Sequence, residues 1–115
     1  EQGPYFVQVD FNQDRQLDYA IPILEKDSAY VYAFVKNKAG QDFDQYLLER
    51  HPLYEIEGKM KSIHYLTQAK PGTYYDYGTR RKITLPHAGV NVGAENFVAT
   101  YVWENGQFKK YETSD

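Results

Sequence analysis

The sequence predicts an all-β fold of mostly antiparallel strands, a sheet or sandwich, in a single small domain spanning residues 1–115. The composition has 12 Tyr, 6 Phe and 1 Trp against one Met, and half-buried aromatic side chains favour strands. Several segments alternate apolar and polar residues, and glycines, prolines and one Asn-Gly pair separate them. A chain of 115 residues can bury one modest core without disulfides.

The first three predicted strands lie in the N-terminal third of the chain. Residues 18–26 are apolar on both faces but contain Pro22, which cannot donate to a ladder and therefore favours a sheet edge or a bulge there. Residues 29–36 are apolar on both faces without proline, so they are the best candidate for a central strand. Before these segments, residues 5–11 alternate as a half-buried strand, with one face formed by Tyr5, Val7, Val9 and Phe11.

The segment 42–50 fits two structures. Asp42 followed by Gln45 could form a helix capping box, whereas the apolar residues also fit strand alternation. We favour the strand. Two further strands are expected at 53–57 and 59–66, on either side of Gly58.

Pro71-Gly72 is expected to break the chain before a tyrosine-rich loop. A strand should follow at 81–86. We then expect a glycine-rich turn around Gly89 and Gly93.

The C-terminal segment predicts a β-hairpin. Residues 97–104 and 107–113 are strand-like and are separated by Asn105-Gly106, the pair preferred in a two-residue type I′ turn. In that register Trp103 faces Phe108. Such an aromatic pair contributes on the order of 0.5–1 kcal/mol over small residues.

Composition also excludes several functions. The chain has no cysteine, which rules out thiol nucleophiles, disulfides and cysteine-based zinc sites. Its net charge is −3 without a dense Lys/Arg run, so we expect no nucleic-acid partner. No apolar run approaches the roughly 18 residues of a membrane helix, so no membrane span is expected.

Acidic residues between the first two predicted strands form a candidate calcium loop. The segment VDFNQDRQLDYA places oxygen ligands at loop positions 1, 3, 5 and 9, with a backbone carbonyl at position 7, a spacing that wraps a hard cation in one short turn. Position 12 is Ile21 rather than glutamate, and the flanks are strand-like, so this is not an EF-hand. A plain turn with solvated carboxylates is the alternative. The candidate ligands are Asp10, Asn12, Asp14, Gln16 through its carbonyl, and Asp18.

This segment resembles the D-F-N-x-D-G-x-x-D loop of FG-GAP or VCBS-type domains, which are common in exported bacterial proteins. The resemblance covers about a dozen residues and implies that the same five residues contact calcium. It also implies a periplasmic or secreted protein. The family pattern usually has glycine where this chain has Gln13 and Arg15, and a left-handed backbone at Arg15 would cost roughly 1–2 kcal/mol.

The sequence contains no evidence of catalysis. His51, His64 and His87 lack the short spacings of zinc sites, so they are interpreted as scattered surface residues. We find no nucleophile or nucleotide-binding motif, and therefore predict no catalytic residues and no enzyme. A small hydrolase with a cryptic carboxylate site is the alternative.

The tyrosine-rich segment TYYDYGTRRK is the best candidate for contact with another protein, because tyrosine and arginine are enriched at interfaces. The alternative is that the tyrosines continue a sheet and pack on the core. A non-catalytic binding module, such as an inhibitor or immunity-type protein, is therefore the expected function. The candidate contact residues are Tyr74, Tyr75, Tyr77, Arg80 and Arg81.

Overall fold

The computed structural model describes residues 6–37, 42–61, 64–94 and 97–114, and across these ranges the chain forms only antiparallel strands and their connections. The all-β prediction is confirmed. The strands, numbered along the chain, are β1 (Val7–Val9), β2 (Asp18–Glu25), β3 (Ser28–Lys36), β4 (Phe43–Pro52), β5 (Tyr54–Ile56), β6 (Lys59–Lys61), β7 (Tyr65–Ala69), β8 (Gly72–Asp76), β9 (Arg81–Leu85), β10 (Gly89–Ala94), β11 (Phe97–Glu104) and β12 (Gln107–Ser114).

The first sheet has the strand order β1-β2-β3-β4. β3 is a central strand of this sheet, which confirms the prediction for residues 29–36. The ambiguous segment 42–50 belongs to a strand, β4. Among the described residues, β1 pairs with β2 only as far as Ala20. Pro22 lies beyond this point and pairs only with Val31 of β3. Tyr5, the first residue of the predicted strand 5–11, lies outside the described residues.

The second sheet has the order β12-β11-β10-β7 and contains the predicted C-terminal hairpin. Asn105 and Gly106 have φ of 52° and 84°, the positive values that a type I′ turn requires. Trp103 pairs with Phe108, and their ring centroids are 5.1 Å apart at 81°. The predicted register is confirmed.

A shared core lies between these two sheets, which pack as a sandwich. Alternate residues of each strand point inward because side chains alternate across a pleated strand. The buried side chains come from both sheets: Val7, Phe11, Ala20, Val31 and Val35 from the first sheet and its connections, and Leu66, Val90, Val92, Ala99 and Tyr101 from the second.

Two small hairpins complete the described fold. β5 pairs with β6 through the turn Glu57-Gly58, where both residues have positive φ. The predicted strand 59–66 corresponds to β6 and the start of β7, and residues 62 and 63 lie outside the described residues.

The β8–β9 hairpin covers the outer face of the second sheet. Its residue Leu85 is buried against Ala69 and Val102, and these three residues form a second core cluster on which Tyr74 packs. The prediction of a tyrosine-rich loop is therefore wrong for its first part, because Thr73–Asp76 pair with β9 and only residues 77–80 form the turn. Burial of one face of the segment stabilises it as a strand.

The predicted glycine-rich turn is also wrong, because Gly89 and Gly93 lie within β10. A Cβ at Gly89 would stand 2.2 Å from the backbone oxygen of Tyr101. A Cβ at Gly93 would stand 2.4 Å from the ring of Tyr65, its partner in β7. Glycine in these strand positions permits close approach of a backbone and a ring, rather than a change of chain direction.

Candidate metal sites

The acidic loop connects β1 to β2, and the fold brings three of its five predicted ligands together. Carboxylate oxygens of Asp10, Asp14 and Asp18 lie within 4.8 Å of one another. The Oδ1 atom of Asn12 is buried and has no hydrogen-bond partner among the described residues. The side-chain amide of Gln16 donates to Asp14 Oδ2 and to the carbonyl oxygen of Asn37, both at 3.3 Å.

Backbone amides hold the carboxylates in place. Asp18 is fully buried, and its two oxygens accept hydrogen bonds of 2.8 Å from the amides of Phe11 and Lys36. Asp10 accepts hydrogen bonds from the amides of Asp14, at 3.2 Å, and Arg15, at 2.7 Å. These bonds also stabilise an Asx-type turn, so by themselves they are compatible with either interpretation of the loop.

The loop backbone adopts left-handed conformations at Gln13, with φ of 62°, and Arg15, with φ of 70°. These are the positions at which the loop pattern that the sequence resembles usually has glycine. A non-glycine residue in this region costs roughly 1–2 kcal/mol, so the surrounding hydrogen bonds must enforce the turn.

The carboxylates of Asp10 and Asp14 repel the carboxylate of Asp18. Burial raises the pKa of the Asp18 carboxyl, the amides of Lys36 and Phe11 oppose this rise, and the negative charges of Asp14 and Asp10 add to it. A divalent cation would relieve the repulsion between these carboxylates. Carboxylate and amide oxygens together suit a hard cation such as calcium.

A second polar cluster unites residues that are distant in the sequence. The rings of His51 and His64 are stacked with centroids 3.5 Å apart and an interplanar angle of 12°. Ligand atoms of Glu49, His51 and His64 lie within 4.8 Å of one another. The interpretation of all three histidines as scattered surface residues is therefore wrong, although His87 does lie apart, with Nε2 2.8 Å from the carbonyl oxygen of Trp103.

A β-bulge at Leu48 creates this second cluster. Val31 pairs with Glu49 while Tyr32 pairs with Leu47, which leaves Leu48 as an extra residue in β4. Because a one-residue shift exchanges the two faces of a strand, Glu49 and His51 share the core face with Tyr46. Leu48 also packs on the core, whereas simple alternation from Tyr46 would have placed Arg50 on that face in place of Glu49 and His51.

Burial controls the charge of the two imidazoles. It lowers the pKa of His51 to about 4, with a further contribution from His64. Burial also lowers the pKa of His64, and the negative charge of Glu49 partly opposes this. Both rings are therefore neutral near pH 7, the state in which imidazole binds metals.

The predicted protein-contact residues separate into two environments. Tyr74 is half-buried on the second core cluster and donates a hydrogen bond of 2.7 Å to the carbonyl oxygen of Lys70. Tyr75 and Tyr77 are exposed, and their ring centroids are 4.8 Å apart. Arg80, in the turn with φ of 61°, and Arg81, the first residue of β9, are exposed beside them.

Comparisons of the chain with protein-family models, with curated proteins and with solved structures find no match. Among the described residues there is also no helix of the length and hydrophobicity that a membrane span requires.

Proposed function

We propose that this protein is a non-catalytic binding module that acts in the periplasm or outside the cell, binds calcium in the loop from Asp10 to Asp18, and contacts another protein. The observation that carries the proposal is the convergence of the Asp10, Asp14 and Asp18 carboxylates in one turn. The buried Oδ1 of Asn12 supplies a fourth oxygen at the spacing expected of a ligand.

The loop backbone supports the calcium interpretation further. Left-handed residues stand at both positions where the related loops use glycine, so the chain keeps the loop shape despite its side chains. Calcium would offset the strain and the carboxylate repulsion together, and would thereby fix the connection between β1 and β2.

Protein contact is proposed at the tyrosine–arginine surface, which we define as Tyr75, Tyr77, Arg80 and Arg81. Tyr74 would support this surface from beneath, through its packing on the second core cluster. Tyrosine supplies contact area with few rotatable bonds, and arginine supplies a planar fork for a partner carboxylate. Occupying a partner's surface in this way would suit an inhibitor or immunity-type protein.

Thermal unfolding in calcium and in a chelator tests the metal-binding part of the proposal. Because a ligand that binds only the folded state stabilises it, the melting temperature should rise in several millimolar calcium, a concentration suited to the weak affinity of extracellular modules, about 10⁻⁴–10⁻³ M. Asp14→Asn should reduce this rise, whereas Asp44→Asn, at an exposed position of β4, should preserve it. Equal melting temperatures of the wild-type protein in calcium and in chelator would refute calcium binding.

A further inference from the structure

The donor atoms of the second cluster differ in kind from those of the acidic loop. Glu49 offers a carboxylate oxygen, and His51 and His64 offer imidazole nitrogens, all within 4.8 Å of one another. Two imidazoles and one carboxylate form a donor set used by zinc, whereas calcium prefers oxygen alone. We infer that Glu49, His51 and His64 form a zinc-binding site, with water as the fourth ligand.

The spacing of Glu49 and His51 fits a shared ion better than a direct contact. His51 Nε2 lies 3.9 Å from Glu49 Oε1, which is too far for a hydrogen bond. In a tetrahedral zinc site with bonds of about 2.0–2.1 Å, neighbouring ligand atoms stand about 3.3–3.5 Å apart. A contraction of a few tenths of an ångström would bring both atoms to this separation.

The burial of His51 provides an independent argument. Its side chain is 10% exposed, and neither ring nitrogen has a hydrogen-bond partner among the described residues. Buried polar atoms in folded proteins are normally satisfied. A metal bound to one of these nitrogens would satisfy it.

Tyr101 orients the carboxylate of this site. Its hydroxyl donates a hydrogen bond of 2.7 Å to Glu49 Oε2, while the other oxygen, Oε1, is the one nearer His51. Metal-binding side chains are commonly fixed by a neighbouring group in this manner. Tyr101 is thus a positioning residue and Glu49 the ligand.

The stacked rings determine what must move on binding. A nitrogen lone pair lies in the plane of its ring, so rings 3.5 Å apart and 12° from parallel cannot both aim a lone pair at one ion. One ring must rotate out of the stack. His64 precedes β7 and lies outside the strand ladders, so its backbone can adjust together with its ring without breaking strand hydrogen bonds.

Zinc titration of chelator-treated protein tests the inference. Excess calcium in the buffer would occupy the acidic loop, and calorimetry would then measure zinc binding alone. We expect one equivalent of zinc per chain. Removal of a ligand in His51→Gln or Glu49→Gln should weaken binding by at least about tenfold, and Tyr101→Phe should weaken it by about 10- to 100-fold.

The third histidine supplies the matched control. His87→Gln should bind zinc as the wild type does, and circular dichroism would establish that each variant is folded. If His51→Gln does not fold, Glu49→Gln decides, because its amide oxygen can still accept the hydrogen bond from Tyr101. Absence of a zinc equivalent in the wild type, or unchanged affinity in a folded His51→Gln or Glu49→Gln variant, would overturn the inference.

Nitrogen NMR of the imidazoles adds a readout that stability effects would not change. Zinc should shift a ring-nitrogen resonance of both His51 and His64 while those of His87 stay fixed. Zinc-induced shifts at His87 alone would place the ion elsewhere and overturn the assignment.

Discussion

Tyr101 and Glu49 join the two sheets of the sandwich through a hydrogen bond of 2.7 Å between β11 and β4. Burial raises the pKa of the Tyr101 hydroxyl well above its ordinary value, and the hydrogen bond to Glu49 adds to this effect. The tyrosine therefore remains a donor at neutral pH. The contact connects residues 52 positions apart and fixes the side chain that the bulge in β4 turns inward.

Tyr101→Phe should lower the free energy of unfolding by about 1–3 kcal/mol, because it leaves a largely buried carboxylate without this donor. Tyr111→Phe is the matched control, since Tyr111 donates to Glu104 at 3.1 Å from a half-buried position. Its effect should stay below about 1 kcal/mol. Urea denaturation at pH 7 measures both variants, and equal losses would contradict the special role of Tyr101.

Arg15→Gly should increase calcium affinity, because it removes both a left-handed non-glycine residue and a positive charge from the acidic loop. Without calcium, Arg15→Gly should also raise the free energy of unfolding by up to about 1 kcal/mol. Relief of the left-handed conformation stabilises the folded state, and the greater entropy that glycine gives the unfolded chain reduces this gain. Lys26→Gly relieves a similar conformation, with φ of 55° in the β2–β3 turn, outside the loop. Calorimetry should show tighter calcium binding for Arg15→Gly alone. An equal gain in calcium affinity for Lys26→Gly would contradict calcium binding in the acidic loop.

Asp76 should contribute stability that depends on pH. This carboxylate is buried beneath the β8–β9 turn, where it accepts hydrogen bonds from Thr79, Gly78 and Glu112. Burial acts to raise the pKa of Asp76, but the hydrogen bonds, led by that from Thr79, lower it overall. Since the folded-state pKa is below the unfolded value of about 3.9, the contribution is present above the unfolded value and is lost as pH falls through the folded one.

Asp76→Asn should therefore lower the free energy of unfolding by about 1–3 kcal/mol at pH 7. The difference from wild type should shrink on acidification through the range of the two pKa values. Denaturant unfolding across pH 2–7 measures this. Asp44→Asn, at an exposed position, serves as the control, and a pH-independent deficit in Asp76→Asn would show that the lost stability does not come from ionisation.

The two glycines of β10 should respond differently to alanine. At Gly89 the added Cβ meets backbone, the carbonyl oxygen of Tyr101, whereas at Gly93 it meets the ring of the exposed Tyr65. A side chain can move aside more easily than a paired strand. Gly89→Ala should cost about 3 kcal/mol or more, and Gly93→Ala closer to 1 kcal/mol; thermal unfolding that reverses this order would contradict the packing of β10.

Arg80→Ala combined with Arg81→Ala should weaken binding to a protein partner while the melting temperature changes little, because both arginines are exposed. Affinity capture with the wild-type protein as bait would identify the partner, and calorimetry would compare the variants. Lys109→Ala with Lys110→Ala removes the same charge from β12 and should retain affinity. If the arginine variant binds as well as the wild type, the interface lies elsewhere.

Sequence patterns determined the features of this protein that depend on neighbouring residues. The Asn105-Gly106 turn set the register that opposes Trp103 to Phe108, and the absence of proline in an apolar run identified β3 as central. The spacing of Asp10, Asp14 and Asp18 likewise placed their carboxylates in one turn. Local spacing suffices in these cases because a turn or a strand fixes the directions of its own side chains.

Only the tertiary structure decided the features that depend on packing between strands. A bulge at Leu48 turned Glu49 and His51 inward, and the sandwich then placed His64 against them. Gly89 and Gly93 predict a turn when the sequence is considered alone. The backbone and the ring that explain these glycines belong to other strands, and the sequence does not show them. Alternation along one strand cannot reveal a register shift or a neighbour from another strand, since both arise from long-range pairing that the local pattern does not encode.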